Sequence, residues 1–156
     1  MSIKLAVFPG SFDPITKGHE SIVHKALTIF DELIIGVGVN STKKYYFTLE
    51  KRIELIKKTF EDYPNVKVEW YEGMTVDFCR KVNSRFIIRG LRNAADFEFE
   101  KSIALTNHLI NKDIETIMLL TDVNFSAVNS TLIRDILSNG GNPNLFVPEK
   151  IKDMLL

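Results

Sequence analysis

The alternation of short apolar segments with stretches of helical spacing constrains the fold of this chain most strongly. Apolar and β-branched residues dominate five segments, at residues 3–8, 33–39, 66–71, 86–88 and 116–120. Several of these segments are continuously apolar, which is typical of parallel strands covered on both faces. The sequence therefore predicts five buried strands that need helices on either side.

Between these segments the spacing changes to that of an α-helix. Val23, Ala26 and Phe30 recur at steps of three and four residues, and Ile53, Ile56 and Phe60 do the same further on. Strands alternating with helices predict an α/β protein with a Rossmann-like, doubly wound, five-stranded parallel sheet, because right-handed crossovers lay helices on both faces. Ligands of such sheets bind at the carboxyl ends of the strands.

The ends of several predicted helices are also marked. A side-chain cap is expected at Thr48 for the second helix and at Ser130 for a later one, because hydroxyls satisfy free N–H groups. Gly140 and Gly141 predict a helix stop, and Pro148 predicts the start of a final short helix.

Length and charge narrow the function. A chain of 156 residues with 45% hydrophobic content predicts a single domain spanning residues 1–156. Its 20 Lys and Arg balance 20 Asp and Glu. This balance argues against a broad nucleic-acid or anionic-membrane surface, so any site for an anion must be local.

The remaining composition predicts a cytoplasmic protein. The one cysteine, Cys79, has no partner for an internal disulfide, and the first residues lack the features of a secretion signal. No apolar run approaches the ~20 residues of a membrane-spanning helix. We therefore expect neither a membrane nor a nucleic acid as partner.

The loop after the first strand is the densest candidate for chemistry. Residues 9–19 contain two glycines, two prolines, hydroxyls and His19. Gly10 permits close approach of a ligand to the backbone, and Gly18 and His19 fall near a helix N-terminus, where free N–H groups attract phosphate. The alternative is a tight turn whose histidine merely caps the helix or packs.

The same loop carries a resemblance to a known superfamily. Thr16-x-Gly18-His19, after the string at residues 10–14, resembles the (H/T)-x-G-H signature of the α/β-phosphodiesterase nucleotidyltransferases. The chain has no Walker A sequence, and Gly36-x-Gly38 lacks the third glycine of a dinucleotide-binding motif.

A second string narrows the resemblance. Arg89-Gly90-Leu91-Arg92, followed by an acidic helix start that includes Glu100, is similar to a stretch of the phosphopantetheine adenylyltransferases. Two arginines at a strand end supply planar forks for phosphate. The alternative makes both arginines surface ion-pair partners of Asp96 and Glu98.

Two further segments agree with that family. Lys43-Lys44 precedes a helix start at residues 47–50, as in the family, and residues 125–131 correspond to its serine-rich loop. Here the chain has Val-Asn-Ser-Thr at 128–131 where Ile-Ser-Ser-Ser is frequent. It also has Phe125 in place of a common tryptophan and Arg134 in place of a common lysine.

The resemblance implies adenylyl transfer from ATP to 4′-phosphopantetheine, giving dephospho-coenzyme A and pyrophosphate by in-line attack without a covalent intermediate. The implied catalytic residues are Ser11, His19, Lys43 and Arg89. The implied ATP-binding residues are Ser11, Phe12, His19, Gly90, Leu91, Arg92, Glu100, Phe125, Ser126, Ala127, Val128, Asn129, Ser130 and Thr131. The acceptor would contact Ser11, Lys43, Met74, Thr75 and Arg89. Magnesium would arrive with ATP, with no metal site on the protein itself.

The resemblance also implies a homo-oligomer, a hexamer in this family, with coenzyme A as a feedback ligand. Two other functions stay open. The chain could transfer a nucleotidyl group to another acceptor, such as nicotinamide mononucleotide or glycerol phosphate, although the Arg89–Arg92 string argues against this. It could also be a nucleotide or coenzyme A sensor without turnover, although such a binder has no need of His19.

Overall fold

The computed structural model describes residues 2–156. The structure has five parallel strands, β1 (Leu5–Gly10), β2 (Glu32–Val39), β3 (Val66–Glu72), β4 (Phe86–Leu91) and β5 (Glu115–Leu120). They form one sheet in the order β3-β2-β1-β4-β5. The predicted α/β fold with a five-stranded parallel sheet is therefore confirmed.

Five α-helices connect the strands or follow the last one. They are α1 (Lys17–Ala26), α2 (Leu49–Thr59), α3 (Thr75–Lys81), α4 (Ala94–Ile110) and α5 (Ser130–Ser138). Short 3₁₀ helices lie at Val123–Phe125 and Glu149–Met154, the latter after Pro148 as predicted. Among the described residues, no helix is both long and apolar enough to cross a bilayer.

The helix caps confirm one prediction and correct another. Thr48 caps α2, since its hydroxyl accepts a hydrogen bond from the backbone N–H of Lys51. The cap of α5 is Asn129, whose Oδ1 accepts from the Leu132 N–H at 2.9 Å. Ser130, predicted as that cap, is instead the first helical residue and donates its hydroxyl to the Pro14 carbonyl at 2.8 Å.

The core explains why helices cover both faces of the sheet. Successive strand side chains point to opposite faces, so Ala6 and Phe8 of β1 pack on one side and Val7 on the other. The Ala6 side also contains buried residues of α1, α2 and α5, while the Val7 side contains Phe78 and Cys79 of α3. Apolar burial on both faces makes the sheet interior continuously hydrophobic.

The sheet opens where its strand order reverses. β1 pairs with β2 from Leu5 to Gly10, but with β4 only at Ala6 and Val7. Beyond these two residues β1 and β4 therefore diverge toward their carboxyl ends. A gap at this point is where doubly wound sheets bind ligands.

Candidate active site

Two adjoining cavities occupy the carboxyl end of the sheet. The first has a volume of about 310 Å³ and lies among the loops after β1, β4 and β5. The second, of about 420 Å³, lies toward β2, β3 and α4. The two share a wall formed by Pro9, Gly10, Ser11, Lys43, Arg89 and Glu100. A molecule in either cavity would therefore face the same cations.

Most of the predicted site residues line these cavities. The shared wall contains Ser11, Lys43, Arg89 and Glu100. The first cavity adds Phe12, His19, Gly90, Arg92, Val128, Asn129 and Ser130. The second adds Thr75 beside Tyr71, Ile103, Ala104, Asn107 and Thr116.

Six predicted residues lie outside the cavity linings. Met74 precedes α3 with its side chain 46% exposed, and Leu91 is buried at the end of β4. The other four flank the first cavity without lining it: Phe125, Ser126, Ala127 and Thr131. Of the predicted loop, only residues 128–130 line the first cavity. Ligand contacts of the six residues outside the linings stay a prediction.

His19 uses its two ring nitrogens differently. It is the third residue of α1, and the backbone N–H of Thr16 donates to its Nδ1 at 3.0 Å. In return the Thr16 hydroxyl accepts from the His19 backbone N–H at 3.2 Å. Because Nδ1 accepts a hydrogen bond, the neutral ring carries its proton on Nε2. The alternative reading, in which His19 only caps the helix, therefore describes Nδ1. Nε2 is left as a hydrogen-bond donor for a ligand.

The surroundings of His19 keep the ring neutral. Burial lowers its pKa from 6.5 to about 4, and the positive charges of Arg89 and Arg92 act in the same direction. The ring of Phe12 packs edge-on against the imidazole, with 4.9 Å between the centroids. At neutral pH His19 is thus an uncharged, positioned hydrogen-bond donor.

Arg89 bridges the gap between the diverging strands. Its Nε and Nη2 each donate to the Glu100 carboxylate at 2.7 Å, and its Nη1 donates to the Pro9 carbonyl at 2.8 Å. The side chain of Glu100 is 9% exposed. Such a two-pronged pair fixes the plane of the guanidinium. Glu100, predicted to contact ATP, therefore positions Arg89 in this structure.

Arg92 is paired as well. Its Nε and Nη2 donate to the Asp96 carboxylate at 3.0 and 3.1 Å, four residues along the chain. The hydrogen bond from Arg92 is the main reason that the pKa of Asp96 is lowered. Ion pairing of the arginines, the alternative raised by the sequence, is thus real, but the partners are Glu100 and Asp96 rather than Asp96 and Glu98. Both arginines still line the first cavity.

Lys43 connects the loop after β2 to the loop after β1. Its Nζ donates to the Ser11 hydroxyl at 3.1 Å. Both side chains lie in the wall shared by the two cavities. The structure therefore places the ammonium of a flexible lysine side chain and a serine hydroxyl on the wall between the two cavities.

Three charged residues support the site without having been predicted for it. The Asp13 carboxylate, 4% exposed, accepts the backbone N–H groups of Tyr46 and Phe47 at 2.8 Å each. Arg134 lines the first cavity and donates to the Asp13 carbonyl at 2.8 Å. Arg52 is 1% exposed and donates to the Ser11 carbonyl at 2.7 Å.

One of these residues left a signal in the sequence. Arg52 stands three and four residues before the apolar Leu55 and Ile56, on the same face of α2. A charge on the buried face of a helix requires a specific partner.

A parallel 3-2-1-4-5 sheet, with a histidine at a helix N-terminus and arginines at the strand reversal, defines the class of α/β nucleotidyltransferases. Residues 7–136 match the cytidylyltransferase-like family. The chain is 52% identical over 150 residues to a phosphopantetheine adenylyltransferase of Flavobacterium psychrophilum, covering 96% of this chain and 99% of the relative. The corresponding protein of Bacteroides fragilis is 44% identical, with 94% and 97% covered. The chain therefore belongs to the phosphopantetheine adenylyltransferase family.

Solved structures with less sequence similarity share the fold. A bifunctional NMN adenylyltransferase/ADP ribose pyrophosphatase from Francisella tularensis has a TM-score of 0.73 at 20% identity, over 94% of this chain and 45% of that one. A protein of Vibrio parahaemolyticus assigned as a nicotinate-nucleotide adenylyltransferase has a TM-score of 0.74 at 18% identity, with 99% and 92% covered. At these identities the likeness concerns the fold alone.

Proposed function

We propose that this protein transfers the adenylyl group of ATP to 4′-phosphopantetheine, giving dephospho-coenzyme A and pyrophosphate. Membership of the family supports this function. The structural observation that carries it is the wall of Ser11, Lys43 and Arg89 between two cavities. Because both reactants bear phosphate, cations on a common wall hold the two reacting groups together against their mutual repulsion.

The two cavities suit different parts of the reaction. ATP occupies the first, where the N-termini of α1 and α5 offer free N–H groups to phosphates. The acceptor occupies the second, whose wall combines apolar Ile103 and Ala104 with the polar side chains of Asn107 and Thr116. Such a mixed lining fits a flexible arm that carries amides.

The reaction is a single displacement at phosphorus. An oxygen of the acceptor phosphate attacks the α-phosphorus of ATP, and the bond from that phosphorus to the bridging oxygen breaks, so pyrophosphate leaves with the electron pair. Nε2–H of neutral His19 donates to the α-phosphate as its charge grows. Lys43 and Ser11 hold the acceptor phosphate beside the α-phosphate, and Arg89 orients it.

Magnesium enters as part of the substrate, bound to the phosphates of ATP. The three carboxylates of the first cavity are all engaged: Glu100 and Asp96 each hold an arginine, and Asp13 accepts two backbone N–H groups. Mg²⁺ commonly keeps several waters and is held largely by substrate phosphates. Its chemical contribution is to neutralise charge on the leaving pyrophosphate.

Pyrophosphate release tests this function. The protein is mixed with magnesium and ATP, and 4′-phosphopantetheine, nicotinamide mononucleotide or glycerol phosphate is added in turn. We expect rapid release of pyrophosphate only in the mixture that contains 4′-phosphopantetheine as the acceptor. Faster release with another acceptor, or with CTP in place of ATP, would contradict the proposed substrates. Binding of ATP without release in any mixture would instead indicate a sensor.

We further propose a homo-oligomer that uses α4. The helix has one buried residue, Glu100, while its apolar Phe99, Leu105 and Leu109 are 66, 57 and 77% exposed. Several exposed apolar side chains on one helix favour association, and a second copy offers the same helix in return. The hexameric state, the response to coenzyme A and the cytoplasmic location stay predictions from the sequence.

A further inference from the structure

Arg52 spans the space between α2 and the loop after β1. On α2 it lies among fully buried Leu55 and Ile56 and is itself 1% exposed. Its Nη1 donates to the Ser11 carbonyl at 2.7 Å, 41 residues away in the chain. Within the part of the chain that the structure describes, its buried Nε has no hydrogen-bond partner. A helix that needed only packing would have an apolar residue here, because burying a charged and partly unpartnered group is unfavourable.

The guanidinium also supports the loop that carries Lys43. Its central carbon lies 4.0 Å from the centroid of the Tyr45 ring, and Lys43 Nζ lies 5.4 Å from the same centroid. The ring therefore contacts both cations through its π system. Its hydroxyl accepts the Asn40 backbone N–H at 2.9 Å, which fixes the ring to the start of the loop.

The carboxylate of Asp13 holds the other end of this loop. It accepts the backbone N–H groups of Tyr46 and Phe47. Burial lowers the pKa of Arg52, and the negative charge of Asp13 opposes that change more than any other charge does. The loop with Lys43 is thus attached at Tyr45 through Arg52 and at the next two residues through Asp13. Both attachments lead back to the loop after β1, which carries Ser11.

From these contacts we propose that Arg52 is a positioning residue for adenylyl transfer. It holds the Ser11 backbone and the Tyr45 ring at once, so that Lys43 and Ser11 keep their 3.1 Å contact on the wall between the cavities. This inference rests on the proposed function. It adds a residue that lines neither cavity. Arg52 acts through Ser11 and Lys43, which line both cavities.

The test compares Arg52→Met, which keeps much of the volume, with Arg52→Lys, which keeps a charge and a donor but loses the planar fork. Leu55→Val is the matched control, because it loosens the same buried face of α2 and leaves Arg52, with its contacts to Ser11 and Tyr45, in the chain. Wild-type turnover with ATP and 4′-phosphopantetheine is measured first. Its absence would contradict the proposed function, whereas the comparison among folded variants addresses Arg52.

We expect Arg52→Met to lower kcat by about 10- to 100-fold, as small displacements of reacting groups do, with a smaller change in KM for ATP. Arg52→Lys should fall between that variant and wild type, and Leu55→Val should keep a kcat near wild type. A folded Arg52→Met with wild-type kcat would overturn the inference, as would an equal loss in Leu55→Val. If Arg52→Met does not fold, Tyr45→Leu decides, with the KM for 4′-phosphopantetheine measured as well because Tyr45 also lines the second cavity. A reduced kcat with that KM near wild type supports the inference, whereas an unchanged kcat, or a loss confined to that KM, overturns it.

Discussion

At the scale of single residues, the proposed role of His19 depends on an imidazole that stays neutral and donates a hydrogen bond from Nε2. The hydrogen bond from Thr16 occupies Nδ1, and burial with two nearby arginines holds the pKa near 4. The ring therefore offers Nε2–H without changing its charge. A fixed donor in a site shielded from water stabilises a developing anion more than the same group does in water.

Replacing this residue tests its role directly. We expect His19→Ala to lower kcat by about 10²-fold or more, as loss of one positioned donor does elsewhere. His24→Ala is the control, because His24 is exposed on the same helix. Pyrophosphate release gives the rates, and circular dichroism confirms that both variants fold. Near-normal turnover of His19→Ala would remove the imidazole from the mechanism.

The low pKa of His19 also affects stability. Between pH 6.5 and about 4 the ring binds a proton in the unfolded chain but not in the folded one, so stability falls as the pH falls through this window. We expect His19→Gln to lose less stability than wild type between about pH 8 and about pH 5 in urea unfolding. Parallel pH profiles of the two proteins would contradict the lowered pKa.

At the scale of elements, two of the four α-helices with a side-chain cap differ in where the cap lies relative to the cavities. Asn129 caps α5 and lines the first cavity, whereas Thr48 caps α2 away from both cavities. Free N–H groups at the start of α5 are thus arranged by a residue that faces the first cavity.

The two caps provide a matched pair of variants. Asn129→Ala and Thr48→Ala should each lower the free energy of unfolding by about 1 kcal/mol. In Asn129→Ala alone we expect KM for ATP to rise about fivefold or more, as for roughly 1 kcal/mol of lost binding. Urea unfolding and initial rates give both quantities. An unchanged KM in a destabilised Asn129→Ala would separate the cap from ATP binding.

The sequence predicted the middle of each strand better than its end. The first strand was expected at residues 3–8 and is Leu5–Gly10, and the fourth was expected at 86–88 and is Phe86–Leu91. Gly10 and Gly90 are weak strand formers, yet they pair with Val37 and Leu119 in neighbouring strands. Pairing with a partner strand overrides local preference, and no local pattern reveals the partner.

The sequence likewise predicted residues that line the cavities but not the contacts that support them. His19, Lys43 and Arg89 stand in recognisable strings, and the structure brings them to one end of the sheet. The carboxylate that holds Arg89 lies 11 residues away on α4, and Arg52 reaches a loop 41 residues away. Such contacts depend on which loops meet in the folded chain, so spacing alone does not disclose them.

At the scale of the whole molecule, the reversal of strand order creates both cavities and their common wall. β1 and β4 diverge after a short pairing, and Arg89 crosses the gap to the Pro9 carbonyl. The loops after β1 and β2 meet above it through Lys43 and Ser11. The topology thus places one set of cations between two cavities.

Assembly of the protein with further copies would involve the exposed apolar side chains of α4. Leu109 on α4 and Leu145 in the loop after α5 are 77 and 76% exposed, so they form a matched pair. We expect Leu109→Glu to lower the mass measured by light scattering, because a charge is poorly tolerated in an apolar interface. Leu145→Glu should leave the mass unchanged. A monomeric wild type, or equal effects of both variants, would contradict assembly through α4.

In the proposed reaction the two reactants meet directly across the wall of Ser11, Lys43 and Arg89. The measurement that tests it is the configuration at the α-phosphorus after transfer from one isomer of ATP carrying sulfur at that position. Direct in-line displacement inverts the configuration at the α-phosphorus. We therefore expect a sulfur-containing dephospho-coenzyme A in which this phosphorus has the inverted configuration. Retention would require two displacements through an intermediate on the protein, and would contradict a direct meeting of the two substrates.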